Sequence, residues 1–261
     1  MIYDSGGNLW QVDGLGQTKK QLTFGGSAGS DVNQAIEPSL SLDGTKLVFQ
    51  GNQSHLFVAN PDAIQSTMQD MTVPSDDLPA MYPRISADGS EVTWTESFSS
   101  GSIQQYVQSP TPGAGYTFFH TSPSIGFAPG GLWQCSWNHQ VRVGPDPSAC
   151  TTSSPLVADD SADTNASFGW RPVFSPDGKL LVASIYDYPD FVNPIGLFLF
   201  DATTGALIRQ LTNVAGDDMP VFSPDGSEIL FNRGSDIYEV PTAGGAATLF
   251  VSGGNDPTWA N

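Results

Sequence analysis

The segment Pro172-Val-Phe-Ser-Pro-Asp-Gly-Lys-Leu-Leu-Val-Ala-Ser184 returns as Pro220-Val-Phe-Ser-Pro-Asp-Gly-Ser-Glu-Ile-Leu-Phe-Asn232. Each copy is a short apolar run, an Asp-Gly turn and a second apolar run, which is the signature of a β-hairpin. Looser copies stand at Leu40-Ser-Leu-Asp-Gly44, Ile85-Ser-Ala-Asp-Gly89 and Phe127-Ala-Pro-Gly-Gly131. Measured on Ser41, Ser86, Ala128, Ser175 and Ser223, the steps are 45, 42, 47 and 48 residues. Periods of about 40–50 residues are those of four-stranded propeller blades. The expected fold is therefore all-β, a β-propeller with antiparallel four-stranded blades.

The two ends supply the blade count. Met1-Ile-Tyr-Asp-Ser-Gly-Gly-Asn-Leu-Trp-Gln-Val12 matches Ile229 to Val240 nearly position for position, and Lys20-Gln-Leu-Thr23 matches Arg209 to Thr212. The chain thus opens on the second strand of a blade. Asn255-Asp-Pro-Thr-Trp-Ala260 fits Asp218-Met-Pro-Val-Phe-Ser223, a first strand. The expectation is a six-bladed propeller in one domain over residues 1–261, its ring closed when the C-terminal strand joins the N-terminal blade. One blade is shared by 1–24 and 255–261; the others cover about 37–80, 82–122, 123–167, 171–215 and 219–254. Closure removes the two edges that an open ring would expose. The third turn lacks its Asp, and Cys150 to Ser167 reads as a long acidic loop. Pro61 to Met71 reads as a helical turn or a loop.

Phe174 to Gly178, Phe222 to Gly226, Asp236-Ile-Tyr238, Asn8-Leu-Trp10 and the Leu-Thr pairs at 22–23 and 211–212 carry a resemblance. They resemble the repeats of TolB-like six-bladed propellers, over nearly the whole chain and most weakly from about 100 to 167. The resemblance implies an exported protein used mainly as a platform for protein interactions. Some relatives with this repeat are polysaccharide lyases, and others carry peptidase domains.

Composition narrows the partners. Nine basic residues against 27 acidic give a net charge of −18. Such a field repels nucleic acid and anionic membranes and favours cations, basic proteins or peptides, or neutral glycans. No apolar run is long enough for a membrane helix. Cys135 and Cys150 are spaced for one disulfide of an exported protein, extracellular or periplasmic; two unrelated thiols of a cytosolic protein are the other reading.

Chemistry is sparse. Gly25-Gly-Ser-Ala-Gly29 matches a nucleophile-elbow pattern in letters only, since no helix follows it. His55, His120 and His139 fall in different blades without ligand spacing. Asp159 and Asp163, at alternate positions of an acidic run, are weak candidates for a Ca²⁺ loop, lacking the Gly and terminal Glu of an EF-hand; no other cofactor is implied. The stronger candidates lie just before inner first strands: Glu37, Asp76, Asp77, Asp217, Asp218 and Asp256. In the position before the strand Pro, Tyr82, Arg171 and Met219 share the register of Glu37 and Asp256. The expected ligand site is the channel mouth, with Glu37, Asp77, Tyr82, Arg171, Asp218, Met219 and Asp256 facing it. A monomeric, non-catalytic binding module is the first reading. A metal-assisted polysaccharide lyase and a structural propeller cut from a larger surface protein are the alternatives.

Overall fold

The computed structural model describes residues 1–25, 34–51, 55–71, 80–97, 103–111, 114–119, 124–137, 140–145, 156–159, 166–168, 171–187 and 194–260. They form six antiparallel sheets, each with four strand lanes, and the chain is a six-bladed β-propeller. By contacts it divides into two compact units, residues 1–122 with 254–261, and residues 123–253.

The first unit holds three blades. One consists of β1 (Ile2–Ser5), β2 (Asn8–Val12) and β3 (Lys19–Gln21), joined by the C-terminal strand β25 (Asn255–Thr258). Ile2 pairs with Thr258 and Asp4 with Asn255, so the blade is completed by the far end of the chain. The second runs β4 (Ile36–Leu40), β5 (Leu47–Gln50), β6 (Leu56–Ala59) and β7 (Gln69–Asp70). Between β6 and β7 lie a 3-10 turn (Pro61–Ala63) and one α turn, α1 (Ile64–Thr67), so the helical reading of that stretch holds for a turn of each kind. The third runs β8 (Ala80–Ile85), β9 (Val92–Ser97), β10 (Ile103–Gln108) and β11 (Tyr116–Phe119).

The second unit begins with β12 (Ser124–Ala128), β13 (Leu132–Trp137), β14 (Gln140–Gly144) and β15 (Leu156–Asp159). The next blade contains β16 (Ala166–Phe168), β17 (Val173–Phe174), β18 (Leu180–Asp187), β19 (Pro194–Asp201) and β20 (Leu207–Gln210). The last runs β21 (Asp217–Phe222), β22 (Glu228–Arg233), β23 (Asp236–Pro241) and β24 (Thr248–Ser252). The stretch expected to be one long loop, Cys150 to Ser167, contains β15 and part of β16. Ala158 reaches its place by pairing with Val141 and being wholly buried, a tertiary gain that three apolar residues in an acidic run do not advertise. β16 and β17 share one lane, pairing with the two ends of β18, so the boundary expected near 167–171 falls inside a blade.

The repeated turn is a closed hydrogen-bond cassette. In Ser41-Leu-Asp-Gly44 the glycine N–H donates to the Ser41 carbonyl, and Gly44 takes φ +69°, which only glycine adopts without strain. Asp43, Asp88, Asp177 and Asp225 each accept the hydroxyl of the serine two residues earlier at 2.7 Å. Each also accepts the backbone N–H two residues later, at 3.0–3.1 Å. The serine oxygens in turn accept the N–H of residues 46, 91, 180 and 228 at 3.0 Å. These bonds favour the charged carboxylate, and Asp88, Asp177 and Asp225 are pulled down to about 2. The Leu-Thr endings have a similar local cause: the Thr23 and Thr212 hydroxyls accept from the Leu9 and Leu197 N–H groups at 2.9 and 3.1 Å.

The apolar core lies between successive sheets. Val48 and Leu56 meet Ile85, Val92 and Trp94 in one unit, and Val182 and Leu199 meet Ile229 and Phe231 in the other. Trp94 is buried and stacks on Tyr106 at 5.2 Å, and Trp133 is buried against Phe127; both fill core, not a sugar-binding surface.

Candidate functional site

Among the described residues, four other than glycine take left-handed backbone: Glu37 (φ 51°), Tyr82 (54°), Met219 (53°) and Asp256 (48°). All four immediately precede a buried proline, Pro38, Pro83, Pro220 or Pro257, and all four are half-buried. They sit where the first strand of the blade breaks register, between Ile36 and Ser39, Met81 and Arg84, and Asp218 and Val221, with β25 shifting likewise against Ile2 and Asp4. The sequence explains the bulge. Proline has no N–H to give the ladder, so the strand skips a pairing and the residue before it turns its side chain out of the sheet. Left-handed backbone disfavours each such residue by about 1–2 kcal/mol. The same strain recurs at one register in four blades.

In the first unit the bulges are tied together by carboxylates. The Glu37 N–H donates to Asp4 Oδ2 on β1 at 3.2 Å, and the Tyr82 N–H donates to Glu37 Oε2 at 2.5 Å. Asp4 also hydrogen-bonds the Asp256 side chain across the β1–β25 pair. Burial, followed by the Asp256 charge and opposed by the Glu37 N–H, pushes the Asp4 carboxyl up to about 8. The Asp4 carboxyl thus keeps its proton at neutral pH. Asp256, Asp4, Glu37 and Tyr82 therefore form one acidic network across three neighbouring first-strand edges, with the side chains of Glu37, Tyr82 and Asp256 partly open to solvent.

In the second unit Asp218 Oδ1 accepts from Ser184 Oγ and the Met219 N–H at 2.6 and 2.8 Å, while its Oδ2 accepts from Tyr186 Oη at 2.6 Å. Its carboxylate is thus the cap of its own bulge. Asp217, grouped with the channel-mouth carboxylates by sequence, is wholly buried and forms a bidentate pair with Arg233 at 2.7 and 2.8 Å. The guanidinium lies over the Phe231 and Tyr238 rings at 5.3 and 4.6 Å. That assembly braces β21 against β22 and β23 and leaves Asp217 no role at a surface. Arg171 is buried where the lane of β16 and β17 is interrupted.

Of the expected site residues, Glu37, Tyr82 and Asp256 are brought together in one unit, and Asp218 and Met219 are adjacent in the other. Asp76, Asp77, Asp163 and Cys150 lie outside the described residues, as does the side chain of Asp159. Cys135 is buried in the middle of β13, opposite Ile125 and Arg142. Asp4, Ser184, Tyr186 and Arg233 were not anticipated. Asp4 had a signal, since it aligns with Asn232 at the strand position opposite the bulge. His55 forms an exposed pair with Asp70 at 2.7 Å. Among the described residues no group of three or more His, Cys, Asp or Glu is placed to hold a metal ion, and no helix is long and apolar enough to cross a membrane.

Six four-lane sheets, strained first-strand bulges and a first blade completed by the C-terminal strand define a six-bladed propeller. Its fold is that of the TolB-like propellers. TolB from Acinetobacter baumannii superposes with a TM-score of 0.73 at 17% identity over 99% of this chain, and putative TolB from Agrobacterium tumefaciens with 0.65 at 14% over 94%. This chain spans 65% of the length of the first and 89% of the second. An oligogalacturonate lyase in complex with manganese superposes with 0.59 at 14% identity over 92% of this chain and 69% of its own. At these identities the likeness is one of fold. No family model and no curated protein sequence matches the chain.

Proposed function

We propose that this propeller is a non-catalytic binding module, exported to the periplasm or the extracellular space, that receives a basic segment of a protein partner at its first-strand bulges. The observation that carries the reading is the set of left-handed residues before proline, of which Glu37, Tyr82 and Asp256 present two carboxylates and a phenol from neighbouring strands. The Glu37 and Tyr82 N–H groups are capped by carboxylates, so these bulges are held without the entropy loss that an unrestrained loop would suffer on binding. A net charge of −18 adds long-range attraction for a cationic segment. The likeness to TolB supports an interaction role and an exported location. The channel mouth is where propeller geometry directs such first-strand residues, and it is the place proposed for the ligand.

The test is titration calorimetry with a lysine- and arginine-rich peptide, using wild-type protein and Glu37→Gln combined with Asp256→Asn. The amide introduced by Glu37→Gln retains an oxygen for the Tyr82 N–H, so the bulge persists while two charges go. Affinity should fall about tenfold or more, and its salt dependence should flatten. Equal affinity in the two proteins refutes the site. An oligogalacturonide bound in preference to the peptide moves the reading to a glycan-active protein, and Ca²⁺ in a separate titration reports whether the carboxylates take a metal.

A further inference from the structure

Two Asp-Gly turns of the second unit face each other across a cleft of about 380 Å³, lined by Ser175, Pro176, Asp177, Leu180, Pro224 and Asp225, with Gly226 at its edge. The first unit contains the same pair of turns, at Ser41–Gly44 and Ser86–Gly89, and comparison of the two pairs shows what this cleft fits. Position 46 in one cassette and position 180 in the other are equivalent. Each N–H donates to its serine Oγ at 3.0 Å, and each carbonyl accepts that serine's N–H at 2.9 Å.

In the first unit the position is Lys46. Its stem lies against Gly89, with Cδ 3.0 Å from where a glycine Cβ would stand, and its ammonium donates to the Gly89 carbonyl at 2.7 Å. The two turns are further joined by the Leu42 N–H, which donates to the Ala87 carbonyl at 3.0 Å. In the second unit both connections are missing for covalent reasons. Leu180 replaces the lysine, and Pro176 replaces Leu42 and has no N–H to offer the Pro224 carbonyl. Two prolines and a leucine supply apolar walls where an alkyl stem lies in the sister pair.

The charges at the rim are suited to a cation. Asp225 Oδ1 takes the Ser223 hydroxyl and the Ser227 N–H and hydroxyl, bonds that leave its Oδ2 outside the cassette. Asp177 is held by Ser175 and the Lys179 N–H, and its Oδ2 lies 3.1 Å from the exposed Lys179 ammonium. The Gly226 carbonyl, counterpart of the Lys46 acceptor, carries the Thr242 hydroxyl at 2.8 Å and retains a second lone pair.

We propose that this cleft receives a lysine side chain displayed by a protein partner, its stem on Pro176, Leu180 and Pro224 and its ammonium on the Asp225 carboxylate and the Gly226 carbonyl. The partner's lysine stands in for the one that the chain itself supplies in the first unit. This surface is separate from the first-strand bulges and does not depend on them.

The probe is N-acetyl-lysine N-methylamide, followed by NMR at the Leu180 methyls and at the Gly178 and Gly226 amides of the intact protein. Saturable shifts are expected, about tenfold weaker in affinity for the norleucine analogue, which has the stem without the ammonium. Leu180→Lys should abolish the amide shifts by filling the cleft from within; the residue at the equivalent cassette position is already lysine, and an unchanged melting curve certifies the fold. Asp225→Asn, which keeps the Oδ1 acceptor of the turn and removes the charge, should weaken binding about tenfold. Absence of saturable shifts in the wild type, equal binding of the norleucine analogue, or wild-type affinity in both variants would each overturn the proposal.

Discussion

Replacing Asp4 with Asn should make the protein's stability less dependent on pH between 5 and 8. The buried Asp4 carboxyl is raised from an ordinary value of 3.8 to about 8 by burial and by Asp256. In that window the folded state keeps a proton that the unfolded chain has released. The unfolded chain binds fewer protons, so stability falls as pH rises, by up to about 1.4 kcal/mol per unit. Over the three units this sums to about 4 kcal/mol. Below 3.8 both states are protonated and the penalty vanishes; above 8 it is complete. Asn resembles the protonated acid, since its oxygen accepts the Glu37 N–H and its amide donates to Asp256. Urea unfolding of both proteins at unit intervals from pH 5 to 9 measures the effect, and carboxylates out of contact with Asp4 cancel in the difference. The Asn variant should gain on the wild type steadily up to pH 8 and level off beyond. Parallel stability profiles, or a variant that loses ground at high pH, would refute the raised Asp4 carboxyl and the burial argument with it.

Arg233→Met strands the Asp217 carboxylate in the core and should destabilise by about 3–5 kcal/mol, with much of this recovered when Asp217→Asn is added; thermal unfolding of the single and double variants measures both. Deleting residues 255–261 removes the β25–β1 ladder and the bond from the Leu40 N–H to Thr258 Oγ1, and should broaden or abolish the cooperative melt; a wild-type melting curve would contradict the shared blade. If Cys135 and Cys150 are bridged as an exported protein permits, native protein should resist alkylation until reduced, and reduction should lower the melting temperature, read by mass spectrometry and calorimetry.

What the sequence disclosed about this fold depended on how local the physics was. The Asp-Gly turns were legible because every bond of the cassette closes within six residues, as Ser223, Asp225 and Glu228 illustrate. The Leu-Thr endings were legible for the same reason. β16 and β17 were not, because splitting one lane is decided by the strand alongside, β18, and not by their own residues. At the candidate site, register before proline grouped Glu37, Tyr82, Arg171, Met219 and Asp256, and all of these but Arg171, which is buried, share the left-handed bulge. Asp217 and Asp218 are neighbours of the same chemical type, yet one is buried on Arg233 and the other caps a bulge; strand alternation alone separates them, and only once the strand's bounds are known. Asp4 escaped because its partner Asp256 lies at the opposite end of the chain.

That first blade also has a mechanical side. β1 and β25 run antiparallel, with Ile2 beside Thr258, so the two ends of the chain leave the sheet from the same end of the pair. Tension applied between them loads the inter-strand bonds one after another, as in a zipper, and not all together in shear. Under a pull between its termini, the molecule should therefore yield first at this seam and at low force, while the locally sewn hairpins of the other blades remain closed.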